Sequence, residues 1–389
     1  MKRKVGIVAA AQTRFKASRH DASIGEMIWE MVEKIIKETG LKFEAQTEGK
    51  DSFCIDKIVS CSEDYWQGRT ISDCLYHLEM GALGMSLTKV AADGAFAVYH
   101  GVINILSGKN DVVLVIAYRK ESETVGSVIE NAGFDPVYLR PLGLDYLTAS
   151  AMQANRYMYR YKITEEQCAE VVVKNRGNAF RNPYAQDPMA LKVSDVMESR
   201  ILSHPIKALD CKPVSDGACA LVLASEERAM DLSTNPVWIA GIGNCYDAHN
   251  PGDRDLSDCE SLRIAAKKAY DMAGITDPVR EIDLAEISEA YSFQELLWME
   301  GLGLCGRGEG GRLIQEGVTR IEGKLPVNPS GGVLSGNPSG VAGMVRVVEA
   351  FLQLSGQAGE RQVPDPEKAL AHGTCGPCGQ SHCVVILTR

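Results

Sequence analysis

Apolar positions along the chain fall into blocks that alternate between helical and strand-like spacing, and the same series of blocks occurs twice. From Ser23 to Gly40, the residues Ile24, Met27, Ile28, Met31, Val32, Ile35 and Ile36 form one apolar face. Ser23 and Glu26 have capping-box spacing and Gly40 stops the run, so the segment predicts an amphipathic helix. A β-branched strand around Val5 to Val8 precedes it, and a strand-like stretch from Ile55 to Tyr65 follows. Downstream the order returns: a strand around Val237 to Ile239, a helix from Ser261 to Gly274, and a strand-like stretch from Ile282 to Tyr291.

Each series then bends through glycine into a second apolar helix, at Ala91–Leu106 and at Gly336–Leu354. Apolar strands close both halves, Val112–Ile116 with Ala220–Leu223 in the first and Val384–Leu387 in the second. A duplicated βαβ-type unit accounts for this and predicts two α/β halves sharing a core, with helix N-termini aimed into the cleft between them. From about Glu121 to Leu209 the repeat lapses into helices and polar loops, read as an insertion over the cleft. The expected domains are therefore residues 1–120 with 210–235, the insertion 121–209, and 236–389.

A chain of 389 residues with 45% hydrophobic and 24% charged content is long enough for two core-forming units. Its net charge of −10 disfavours non-specific nucleic-acid binding, so an anionic ligand must meet a local basic patch. No apolar run escapes interruption by Asp, Lys, Arg or Gly, and no membrane span is expected. The start, Met1 to Val8, is basic then apolar like a secretory signal. Its apolar part is short, however, and Gln12-Thr13-Arg14 follow without a cleavage site, so a first β-strand is the reading. Twelve scattered cysteines suggest reduced thiols and a cytoplasmic location.

Six segments carry the candidate chemistry: Ala91-Ala92-Asp93-Gly94; Ser215-Asp216-Gly217-Ala218-Cys219-Ala220; Glu286-Ile287-Ser288-Glu289-Ala290-Tyr291; Gly303 to Gly311; Gly331 to Gly340; and Cys375-Gly376-Pro377-Cys378-Gly379. Taken on their own, Asp93 reads as a helix cap, Asn337 as the cap of a helix begun by Pro338, Glu289 as a strand carboxylate and His100 as a core histidine. The Cys-x-x-Cys pair on its own reads as inert buried thiols or, least of all, as part of a metal site, and the strand that follows disfavours a redox pair.

Together the segments resemble the sterol-carrier-type branch of the thiolase superfamily. The resemblance implies an α/β thiolase fold, with duplicated βαβ halves in a five-layer αβαβα arrangement. It implies coenzyme A and acyl-coenzyme A as substrates, no metal in this chain, and a homodimeric core joined by a small zinc-ribbon/OB-fold subunit of the DUF35 type. It also places the nucleophilic cysteine on Ala91, the activating histidine on Asn337, a polar donor on Ser288, and the second cysteine on Cys375 or Cys378. A methyl group does not attack a thioester, so the chemistry has been rebuilt or passed to another chain.

The expected activity is carbon–carbon bond cleavage or formation on a β-ketoacyl-coenzyme A without a cysteine acyl-enzyme, the acyl group passing directly between two bound coenzymes. Oxyanion donors would be Asn337, Ser288 and backbone N–H groups near Ala91 and Gly376, with one cysteine shuttling the α-proton. Lys174, Arg176 and Arg181, with Gly336, are the expected coenzyme contacts. A retro-aldolase and a non-catalytic scaffold or lipid carrier are the alternatives.

Overall fold

In the computed structural model, residues 3–43 and 54–389 are described; Met1 and Lys2 of the basic start lie outside them. The first half runs β1 (Val5–Gln12), α1 (Ile24–Thr39), β2 (Lys57–Cys61), β3 (Leu87–Val90), α2 (Gly94–Leu106) and β4 (Val112–Lys120). An insertion with helices α3 (Gly126–Ala132), α4 (Tyr146–Tyr161) and α5 (Glu165–Asn178) then leads back to β5 (Asp216–Ser225). The second half runs β6 (Val237–Tyr246), α6 (Glu260–Ala273), β7 (Leu284–Glu286), α7 (Ser292–Gly301), α8 (Ala342–Leu354), β8 (Lys368–Cys375) and β9 (Ser381–Thr388). No helix among the described residues is long and apolar enough to cross a membrane.

These strands form one sheet in the order β7-β8-β9-β6-β1-β5-β4-β2-β3. The duplication is visible strand by strand. From β1 outward the pairings are antiparallel to β5, antiparallel to β4 and parallel to β2. From β6 outward they are antiparallel to β9, antiparallel to β8 and parallel to β7. Even the irregularities match, since register slips between Ile7 and Ala9 in β1 and between Ile239 and Gly241 in β6.

Strand β4 is apolar along most of its length because both its faces are covered. Val112, Leu114 and Ile116 pack with α1 residues such as Met27 and Met31 in one cluster. Val113, Val115 and Ala117 join the central cluster, where α2 and α8 meet. The far face of the second half, including Val384 and Ile386, packs with Leu262, Ala265 and Ala269 of α6. Helix, one half of the sheet, paired helices, the other half of the sheet and helix thus stack as five layers. Helices α4 and α5 of the insertion share that last cluster through Ala154, Tyr157, Val171 and Val172, so the insertion is rooted in the second half's outer layer.

Three local expectations change, the first being Asn337, which caps no helix because the helix begins at Ala342 behind Val341. The stretch predicted as a strand from Ile282 to Tyr291 is strand only over Leu284–Glu286. The Ile287 N–H is taken by Asn328 Oδ1 (2.7 Å) and Glu286 by Ser330, which turn the chain out of the sheet; Glu289 is therefore a buried loop carboxylate. His100 is exposed on the outer face of α2 and is not a core residue.

Candidate active site

Asp93 organises the centre of the molecule. As N-cap of α2 its Oδ1 accepts from Ala95 N–H (2.9 Å), while Oδ2 accepts from Gly343 N–H (2.9 Å) in the first turn of α8. One carboxylate thereby serves the positive ends of both central helices. Burial pushes its carboxyl up to about 6, against the pull of those N–H groups. A Cβ on either Gly343 or Gly373 would collide with Asp93 Oδ1, so both positions require glycine.

This turn leaves Ala91 exposed on the wall of a cavity of about 710 Å³. Ser288, Glu289 and Tyr291 reach the same cavity from the loop after β7, and Cys375, Gly376 and Cys378 from the turn between β8 and β9. The insertion supplies Glu130 from α3 and Tyr146 from α4, covering the cleft. Arg119 and Lys212 are the cations on the wall. Arg119 pairs with Glu63 (2.6 Å) and stacks over Trp66 (4.8 Å), and Lys212 pairs with Glu121 (2.9 Å).

Both thiols of the Cys-x-x-Cys pair are pushed up to about 12 by burial. They are protonated at neutral pH and suited to giving a proton. Their turn is held from outside: Arg254 donates to the carbonyl of Pro377 (2.8 Å) and Gln153 to that of Cys378 (3.1 Å). No group of three or more His, Cys, Asp or Glu side chains converges as a metal site among the described residues.

The remaining sequence candidates sit elsewhere. Asn337 is buried and absent from the cavity wall; its Oδ1 accepts from Arg346 Nη2 (2.6 Å), whose guanidinium also holds Glu286 (2.8 Å). A protonated histidine would face a buried guanidinium there, whereas an amide oxygen satisfies it. Lys174 and Arg176 are buried and committed to protein partners, Lys174 to Glu295 (3.0 Å) and Val327 O (2.6 Å), Arg176 to Asp187. The expectation that these two meet phosphates gives way, because their charges are already paired with carboxylates of the chain. Arg181 is exposed and pairs with Glu322 (3.1 Å). Gly336 adopts φ +104° against Gln186, away from the cavity wall.

Sequence reasoning missed Arg119 and Lys212, and also Glu130 and Tyr146, whose place on the wall depends on how the insertion folds over the cleft. It also missed a buried pair behind the wall. The Ser288 N–H donates to His372 Nδ1 (3.4 Å), which leaves Nε2 to donate to His382 Nδ1 (2.9 Å). Burial holds His372 well below its ordinary range and His382 down at about 3. Both are therefore neutral. Between the unfolded value of 6.5 and the folded value, the unfolded chain binds a proton that the native one does not, so stability falls with falling pH. Relative to a His382→Gln variant, the wild type should lose about 1.4 kcal/mol for each pH unit inside that window. Urea denaturation at pH 7 and pH 5.5 checks this; parallel trends in the two proteins would remove the histidine from the account.

A cleft between duplicated halves, with two helix N-termini, thiols and a hydroxyl around a space large enough for an acyl thioester, defines a site built for carbonyl chemistry. The thiolase C-terminal domain-like family model matches residues 245–389. The chain is 33% identical to the acetyl-CoA acetyltransferase of Methanothermobacter thermautotrophicus over the whole of both chains. It is 34% identical to the benzoylsuccinyl-CoA thiolase subunit BbsB of Thauera aromatica, over 59% of this chain and 60% of that one. An Ltp2–ChsH2 (DUF35) aldolase structure superimposes with a TM-score of 0.81 at 26% identity, covering 99% of this chain and 97% of that one. The chain belongs to the thiolase family.

Proposed function

We propose that this protein cleaves or forms a carbon–carbon bond in a β-ketoacyl-coenzyme A, moving the acyl group directly between two bound coenzymes with no acyl-enzyme. The observation that carries this reading is Ala91: a methyl stands at the family's nucleophile position, yet it opens on a large cavity whose wall keeps Ser288, Cys375 and Gly376. The Ser288 hydroxyl and backbone N–H groups near Ala91 and Gly376 would polarise the carbonyl, each such donor being worth roughly 3 kcal/mol of barrier. One of the cysteines would carry the α-proton. Arg181, exposed on the insertion of residues 121–209, remains for the coenzyme phosphates. Likeness to the benzoylsuccinyl-CoA thiolase subunit supports cleavage of benzoylsuccinyl-coenzyme A to benzoyl- and succinyl-coenzyme A as the particular reaction. The DUF35 name carried by the aldolase structure supports a small partner subunit, and a homodimeric core is proposed with it.

Initial-rate kinetics with acetoacetyl-coenzyme A and coenzyme A, with and without such a subunit, test the proposal. Intersecting double-reciprocal lines and no acylated cysteine by mass spectrometry are expected; parallel lines with a labelled thiol would overturn it. A retro-aldolase is the second reading, favoured by the aldolase structure and by the Tyr146 and Tyr291 hydroxyls around the cavity. It would release an aldehyde or ketone without consuming coenzyme A.

A further inference from the structure

Without a protein nucleophile, the thiol of the incoming coenzyme must itself lose a proton, and neither Ala91 nor Asn337 supplies a base. Five carboxylates line the cavity. Asp93 is held by two backbone N–H groups, and Glu289 by Asn175, Asn328 and the Leu334 N–H. Glu63 is paired with Arg119, and Asp64 with Lys89. Glu130 forms no ion pair among the described residues, since Lys212 is taken by Glu121. It sits half-buried on α3, with the Tyr146 backbone N–H beside it and Tyr291 close enough to feel its charge.

We propose that the Glu130 carboxylate is the base that removes the thiol proton from the attacking coenzyme A. This rests on the direct-transfer reading above. The S–H proton passes to Glu130, and the thiolate sulfur bonds to the ketone carbon. The bond from that carbon to the α-carbon then breaks, its electron pair forming the enolate of the departing thioester. Cys375 gives its proton to the α-carbon, and protonated Glu130 restores the thiol, so protons and charge balance over the cycle.

The chemistry of the neighbours fits the assignment. Cys375, Cys378, Tyr146 and Tyr291 are all raised by burial and hold their protons at neutral pH. Burial brings Glu130 up to about 7, with Lys212 lowering it and Asp145 and Glu121 raising it, so it can both take and return a proton near neutrality. Asp145 is itself occupied in capping α4, accepting from Thr148 N–H (2.8 Å).

The test uses the full chain, with its partner subunit where one is required. Glu130→Gln should lower kcat for acetoacetyl-coenzyme A thiolysis by about a hundredfold or more, with a melting temperature no lower than that of the wild type and an unchanged Kd for coenzyme A. The fall of kcat/KM below about pH 7 should vanish with it, and Glu130→Asp should restore part of both. A second measurement is independent of turnover: ultraviolet absorbance of the coenzyme thiolate should appear when coenzyme A binds the wild type and be missing from Glu130→Gln. Glu130→Gln activity within threefold of wild type, an acidic limb that persists in the variant, or no thiolate signal in the wild type would each overturn the assignment. A wild type that binds coenzyme A as thiolate but consumes none would instead sink the thiolysis reading and leave Glu130 as the base.

Discussion

Replacing Cys375 by alanine is expected to lower turnover by about a hundredfold to ten-thousandfold, the span typical of a positioned proton donor, while the fold and coenzyme A binding survive. The two cysteines of the Cys-x-x-Cys turn are separated by their surroundings. Cys375 packs against the central core, and Glu63, Asp93 and Arg119, which line the same cavity as Ala91, set its electrostatic environment. Cys378 packs instead with Phe134 and Ala149 of the insertion, near Ser150 and Arg254. Of the two, only Cys375 is acted on by Asp93, two residues from Ala91, so on the proposed reaction only its loss should stop proton exchange at the α-carbon. Deuterium uptake from heavy water into acetyl-coenzyme A, followed by NMR or mass spectrometry, reads that step without a full reaction. Exchange that continues in Cys375→Ala and stops in Cys378→Ala would reverse the assignment.

Much of the fold was legible because its strands and central helices are buried on both sides. Such elements show themselves as continuous apolar runs between helix caps, and the Ser23 box, Gly40 and Gly274 all cap as expected. Strand β8 escaped notice. Its sequence, Lys368 to Cys375, mixes Lys, His, Gly and Thr into the apolar run, and His372 belongs there only because a second buried histidine satisfies it. In the site, Ala91, Ser288 and Cys375 were readable because short motifs fix them at the ends of core elements. Lys174 and Arg176 misled for the opposite reason. A charged residue on a helix reads as solvated until its partner is known, and Glu295 lies far along the chain. Glu130 carried no local pattern at all, since its meaning depends on where the insertion comes to rest.

The largest effect on stability should come from Arg346. Its guanidinium lies fully buried in α8, donating to Glu286 Oε2 (2.8 Å), Ser330 Oγ (2.9 Å) and Asn337 Oδ1 (2.6 Å). It thus ties the end of β7 to the Gly331–Gly340 bend, the two segments that deliver Ser288 and Gly340 to the cavity. Arg346→Met keeps the volume but strands Glu286 in the core, and should cost about 3–5 kcal/mol in urea or guanidinium unfolding. Burial already raises the Glu286 carboxyl, and Arg346 is the chief group opposing that rise. Without it the native carboxyl stays protonated above its unfolded range. The native state then binds the extra proton, so the variant should lose further stability as pH rises from 4.5 through the raised value. Adding Glu286→Leu removes the stranded acid and should recover most of the loss, because the penalty belongs to the unpaired charge and not to the missing bridge. A single variant within about 1 kcal/mol of wild type, or a double variant no better than the single, would show that the two segments are held by packing alone.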